Sequence, residues 1–122
     1  RHEKVLEQAK KIPFENYEEV VFVSKSFGTY VAGWLADTCS LKVKQLYLTP
    51  LPETFPYIKG DNSVIAAVTG VNDYFTDAQA LQEICEKEGV LCLTIPEVGH
   101  RLEHPTDFNR NYEILKMVTD LI

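Results

Sequence analysis

Four short, mostly apolar runs punctuate this chain: residues 20–23, 45–49, 64–70 and 90–95. Runs of this length, rich in Val, Ile and Leu, predict strands buried on both faces, a burial that is achieved where helices alternate with the strands. Helical periodicity does fall between them. Residues 27–39 place Tyr30, Val31, Trp34 and Leu35 on one stripe, and residues 76–87 place Leu81, Ile84 and Cys85 on another. The C-terminal stretch carries Phe108, Tyr112, Leu115 and Val118 at the same spacing, and a further helix over residues 4–12 precedes the first strand and ends near Pro13. Thr76 with Gln79 reads as a capping box that starts the helix over 76–87, and Gly89 as its stop. The order αβαβ(loop)βαβα predicts an α/β fold, a parallel sheet of about four strands with flanking helices and right-handed crossovers.

In an open parallel sheet, chemistry collects at the carboxyl ends of the strands. The first strand leaves Ser26, and the second leaves the loop over 49–57, stiffened by Pro50, Pro52 and Pro56. The third leaves Asn72-Asp73-Tyr74-Phe75, and the fourth leaves a segment that contains Gly99-His100. Ser24-Lys25-Ser26-Phe27-Gly28, set directly behind a strand, reads as a nucleophile elbow. There a serine sits at the apex of a sharp strand-to-helix turn, with small residues two before and two after it. The usual pattern begins with Gly, so Ser24 is a departure that a hydroxymethyl is small enough to permit. Each residue also has a plainer role open to it. Ser26 could cap a helix, Asp73 could serve an Asn-Asp turn, and His100 could lie on the surface. Asp77 is a second acid, more at home in the first turn of a helix. A serine, an acid and a histidine leaving three strands in that order are harder to attribute to chance than any one of them.

In that order and in these motifs the chain resembles the C-terminal part of an α/β-hydrolase, from the elbow strand onward. The resemblance implies one α/β-hydrolase-like domain over residues 1–122 that lacks the N-terminal strands. It implies a serine hydrolase cleaving a small ester or thioester through an acyl-enzyme, with Ser26, Asp73 and His100 as catalytic residues and no cofactor. Neutral imidazole is the base that takes the serine proton, and the carboxylate orients the ring. The backbone N–H of Phe27, at a helix start, is the expected oxyanion donor. A second donor belongs to a loop with no counterpart here, and losing one such donor costs about a hundredfold or more in rate, so a truncated form is expected to be nearly inert. The substrate pocket would come from Leu51, Phe55, Tyr57, Tyr74 and Phe75, mostly apolar, which suits an uncharged acyl group. The loop over 49–57 is too short for a large lid. The alternative is a non-catalytic module of the same fold acting by protein–protein interaction. The first strand would then offer an unpaired edge to a second copy or to a separately encoded N-terminal half.

Composition narrows the partners. Lys and Arg total 12 against 18 for Asp and Glu, a formal charge of −6, which argues against nucleic acid and anionic membranes. No signal peptide, repeat or membrane-length apolar run is present, and an odd number of cysteines, 3, with Cys85 and Cys92 inside predicted elements, fits buried thiols in a reducing, cytoplasmic setting. His100-Arg101-Leu102-Glu103-His104 matches a zinc-peptidase pattern, but Pro105 breaks the helix that pattern requires. No metal is therefore expected. His104 is read as a solvent-facing loop residue, and Glu97 and Glu103 as solvated charges.

Overall fold

The structure, a computed structural model, describes residues 2–122. Its elements run α1 (His2–Ala9), β1 (Val21–Lys25), α2 (Phe27–Thr38), β2 (Lys44–Leu48), β3 (Val64–Gly70), α3 (Ala78–Glu88), β4 (Leu91–Ile95) and α4 (Phe108–Thr119). Short 3-10 turns occupy Phe14–Asn16 and Pro52–Tyr57. The four strands form one sheet in the order β1-β2-β3-β4, parallel at every pairing. All four carboxyl ends therefore lie on one rim, as the apolar runs predict. Between β2 and β3 the register skips Ile65. This extra residue resets the alternation, so that Val64 and Ala67 face one layer while Ala66 and Val68 face the other.

Two cores result, one on each face. On one, Tyr47, Ala67 and Val64 pack with Leu81 and Cys85 of α3 and with Ile58, which follows the Pro52–Tyr57 turn. On the other, Leu46, Ala66, Val68 and Ile95 pack with Ile114 and Val118 of α4 and with Val98 and Leu102. The stripe predicted for α3 is the one that is buried. Its cap differs: the side chain of Asp77, not Thr76, accepts the N–H of Gln79. Thr76 is buried instead and donates its hydroxyl to the Pro50 carbonyl at 2.7 Å. A side chain committed to that carbonyl cannot also cap. Gly89 ends α3 in the left-handed region at φ 70°. Cys85 and Cys92 pack beside one another as free thiols, and the hydrogen bond that Cys85 donates to Cys92, together with burial, pushes the Cys85 thiol up.

On α4 the expected stripe is corrected. Of its four members only Val118 is buried as expected; Phe108, 87% exposed, Tyr112 and Leu115 face solvent, and Ile114, flanked by Met117 and Leu121, meets the sheet beside Val118. Two apolar stripes compete on this helix, and the turn that anchors its start decides between them. Asn111 exchanges hydrogen bonds with the backbone of His104, N–H to Oδ1 at 2.6 Å and Nδ2 to O at 3.1 Å, and so fixes the helix rotation. Ile114→Ala is expected to destabilise by about 2–5 kcal/mol through loss of buried volume, and Leu115→Ala by no more than about 0.5 kcal/mol. Denaturant unfolding of the two variants would separate them.

Candidate active site

The backbone hydrogen bonds of the sheet continue onto its carboxyl rim and carry the candidate residues with them. Ser26 N–H donates to Leu48 O at 3.0 Å and Thr49 N–H to Val68 O at 2.7 Å, which extends β1 and β2 past their ends. Val71 N–H donates to Ile95 O and Asn72 N–H to Val98 O, each at 2.9 Å, so the segment leading to Asp73 runs hydrogen-bonded along the segment leading to His100. Val98 and Leu102, two residues either side of His100, are both buried in the α4-side core. Leu102 N–H closes a turn on Gly99 O at 3.1 Å. The histidine thus sits on a loop pinned at both ends by apolar burial.

Ser26 lies between β1 and α2 with φ 55° and ψ −126°. For a residue with a Cβ this is sparsely populated backbone, at a cost on the order of 1–3 kcal/mol. Although it precedes the helix, Ser26 makes no side-chain cap bond; its Oγ stands 2.7 Å from His100 Nε2. Where the elbow pattern expects Gly, Ser24 is accommodated: a Cβ on Gly28 would lie 3.9 Å from the Ser24 Cβ, an ordinary contact. The Ser24 hydroxyl is buried without a partner.

The His100 Nδ1 lies 2.8 Å from Asp73 Oδ2. The Asp73 side chain is fully buried and that of His100 partly so. Asp73 Oδ1 accepts the N–H of Phe75 at 2.7 Å and of Thr76 at 3.3 Å, and the Thr69 hydroxyl reaches Oδ2 at 3.4 Å. A carboxylate so surrounded by donors accepts from Nδ1–H, which leaves Nε2 as the acceptor for the Ser26 hydroxyl proton. The three side chains singled out in the sequence are therefore brought within hydrogen-bonding reach in a Ser–His–Asp arrangement, able in chemical terms to remove a proton from Ser26 Oγ. Asp77 takes no part, since it caps α3.

The expected pocket residues divide. The Phe75 ring packs against the His100 imidazole, centroids 4.6 Å apart, and Tyr74 beside it is 97% exposed. Leu51 is partly buried at the start of the Pro52–Tyr57 turn. Phe55 and Tyr57 pack toward the α3-side core. Tyr57 also borders a cavity whose lining includes none of Ser26, Asp73 and His100. Phe27, the first residue of α2, rests its ring 6.0 Å from that of Tyr30.

Two positioning contacts escaped the sequence reading, at Lys25 and at Gly70. Lys25 Nζ donates to His100 O at 2.8 Å and ties the elbow strand to the histidine loop. No periodicity could reveal a link that spans 75 residues. The turn role open to Asp73 in the sequence is filled as well, since the Asp73–Phe75 bond is an Asx turn made by Oδ1 while Oδ2 meets His100. At Gly70 a Cβ would collide with the carbonyl oxygens of Val98 and Gly99; a glycine closing a strand is the available signal for such an approach. His104 is corrected as well. Its Nδ1 accepts N–H groups of Thr106 and Asp107 at 3.3 and 3.0 Å, and its Nε2 meets Glu97 Oε2 at 3.2 Å, so it organises the start of α4 and Glu97 has a partner.

The fold is that of α/β-hydrolase superfamily structures, of which this chain matches a part. The chain is similar to a structure named for a hydrolase of the alpha/beta superfamily from Xanthomonas campestris pv. campestris, with 16% identity, TM-score 0.64, 97% of this chain and 66% of that one. It is similar to one named for a CIB-like hydrolase from Thermoplasma acidophilum, with 12% identity, TM-score 0.67, 95% of this chain and 59% of that one. It is also similar to an alpha-beta serine hydrolase homologue from Coxiella burnetii, with 11% identity, TM-score 0.65, 97% of this chain and 55% of that one. The chain therefore spans less than two thirds of the length of each of these three. The sequence matches no family model and no curated protein. No helix among the described residues is long and apolar enough to cross a membrane.

Gly70→Ala is expected to force β3 and the histidine loop apart. Its unfolding free energy should fall by about 2 kcal/mol or more, and the His100 ring resonances should move in NMR spectra of the folded fraction.

Proposed function

We propose that the chain carries the catalytic centre of a serine hydrolase acting on a small ester or thioester. The observation that carries this reading is the pair of hydrogen bonds at His100, 2.7 Å to Ser26 Oγ and 2.8 Å to Asp73 Oδ2. Ser26 Oγ attacks the carbonyl carbon while its proton passes to Nε2, and Asp73 stabilises the imidazolium through Nδ1–H. The carbonyl oxygen takes the negative charge and is stabilised by the Phe27 N–H at the start of α2, where the helix dipole also favours an anion. Collapse of the tetrahedral species breaks the bond to the alcohol or thiol, which leaves with the proton from Nε2. Water, deprotonated by the same nitrogen, then attacks the acyl-serine and releases the acid. Phe75, packed on the imidazole, and exposed Tyr74 form the aromatic side of the site where an uncharged acyl or alkoxy group would rest. Fluorophosphonate labelling tests the assignment: the wild-type chain should be labelled, Ser26→Ala should not be, and His100→Ala should be slowed by at least about a hundredfold. Labelling that persists in Ser26→Ala removes this serine from the mechanism.

A second reading is favoured by a separate observation. Among the described residues β1 pairs with β2 alone, and Val23 on it is 49% exposed. Such an edge accepts another strand, so a non-catalytic role, with β1 joined to a second copy or to a separately encoded N-terminal half, is the competing proposal. Size-exclusion chromatography with light scattering should then show a dimer, or a heteromer once that half is supplied. A monomer under both conditions removes the edge as an interface.

A further inference from the structure

At the amino end of β4, away from Ser26, two thiols share one turn. Cys85 lies in the second half of α3 and is fully buried. Cys92 is the second residue of β4 and is partly exposed. Both pack in the α3-side core with Leu81 and Ala67. The backbone that joins them is fixed: Gly89 turns the chain at φ 70°, and Val90 N–H donates to Cys85 O at 2.8 Å. In the sheet Cys92 is held opposite Ala67. The two side chains therefore meet from a helix end and a strand start whose relative placement the turn and the ladder set.

The two sulfurs are not equivalent. The Cys85 S–H donates to the Cys92 sulfur and draws the Cys92 thiol down, toward thiolate, against the opposing effects of burial and of Glu86. Among the described residues β4 pairs with β3 alone, so Cys92 lies on the edge of the sheet, within reach of a small solute. A partly exposed sulfur with thiolate character, in contact with a buried thiol, is the arrangement in which oxidation of the first is resolved by the second. Cys39, the third and most exposed thiol, lies apart at the end of α2.

We propose that Cys92 and Cys85 form a peroxide-oxidised pair that closes to a disulfide between β4 and α3. The Cys92 thiolate attacks one oxygen of hydrogen peroxide; the O–O bond breaks, hydroxide leaves, and Cys92 becomes a sulfenic acid. The Cys85 sulfur then attacks the Cys92 sulfur, the S–O bond breaks, and the hydroxyl departs as water with the Cys85 proton. Both thiols are oxidised and one peroxide is reduced. Closure draws the sulfurs from hydrogen-bonding contact to about 2.05 Å. This modification is independent of the chemistry proposed at Ser26.

In the full chain of three cysteines, Cys39→Ser leaves only the pair. That variant is treated with hydrogen peroxide, quenched with catalase, denatured, alkylated with iodoacetamide and weighed by mass spectrometry. Neither sulfur should take the alkyl group, the mass should fall by two hydrogen atoms, and dithiothreitol should restore both thiols in a single chain. Cys85→Ser in the same background should instead hold Cys92 as a sulfenic acid that dimedone captures. The first measurement decides alone where the second variant fails to fold. Two alkylated thiols after a dose that oxidises Cys39 in the wild-type chain, a sulfinic acid at Cys92 beside an unreacted Cys85, or disulfides formed only between chains would overturn the proposal. So would the absence of a dimedone adduct in folded Cys85→Ser.

Discussion

The close approach of β3 to the loop after β4 is the contact on which the rim depends. With no side chain on Gly70, the carbonyls of Val98 and Gly99 come against its Cα, and the N–H groups of Val71 and Asn72 reach Ile95 O and Val98 O. Those two bonds prolong the β3–β4 ladder beyond the sheet. Asp73 and His100 are then neighbours because their backbones are neighbours, before any side-chain attraction is considered. A carboxylate that is fully buried is costly unless donors surround it. Here the turn that follows Gly70 supplies them as backbone N–H groups at fixed positions.

Strain gathers at the same rim. Three of the four strands leave it near a non-glycine residue at positive φ: Ser26 at 55° behind β1, Thr49 at 45° behind β2, and Glu97 at 65° shortly after β4. Thr49 is the least expected, because a β-branched side chain is disfavoured there and its buried hydroxyl has no partner. Conformations of this kind persist only where surrounding structure over-determines them. Each of the first two is held by an N–H that completes the ladder to the next strand, Ser26 to Leu48 and Thr49 to Val68. The parallel sheet thereby sustains two sharp turns that a free loop would relax.

How much of this was legible from residues follows from how local each determinant is. The strands were readable because burial on both faces removes polar positions, and the 64–70 run coincides with β3 from end to end. Gly89 was readable because only the left-handed region explains a glycine at that point. Ser26, Asp73 and His100 could be named from their order at strand ends. The rotation of α4 could not, since two apolar stripes satisfy the same period and a loop side chain, Asn111, selects between them. The cap of α3 went to Asp77 rather than Thr76 for a similar reason: the Thr76 hydroxyl is claimed by Pro50 O, 26 residues away. The fates of Phe55 and Tyr57 also turn on a tertiary fact, the open surface over Gly33 that receives the Tyr57 ring. Periodicity reports what a segment buries. It is silent about which distant group claims a hydroxyl.

Hydroxyls of that kind settle whether the rim is mobile or preset. Thr29, Thr49, Thr54, Thr69 and Thr76 are all buried there. Thr29 Oγ1 donates to Ser26 O at 2.6 Å and stands 2.7 Å from Thr54 Oγ1, so the elbow is joined to the Pro52–Tyr57 turn. Thr76 joins the acid's turn to Pro50, at the base of the same segment. Threonine suits these joints because β-branching restricts χ1 and little rotamer freedom is lost when the hydroxyl is fixed. With prolines at 50, 52 and 56 also restricting the backbone, the segment is a fixed wall rather than a lid. Beside it, Phe75 packs on the His100 ring and Tyr74 stands exposed. Donors and acceptors around His100 are thus held in place by the fold itself, the preorganisation that the proposed chemistry would require.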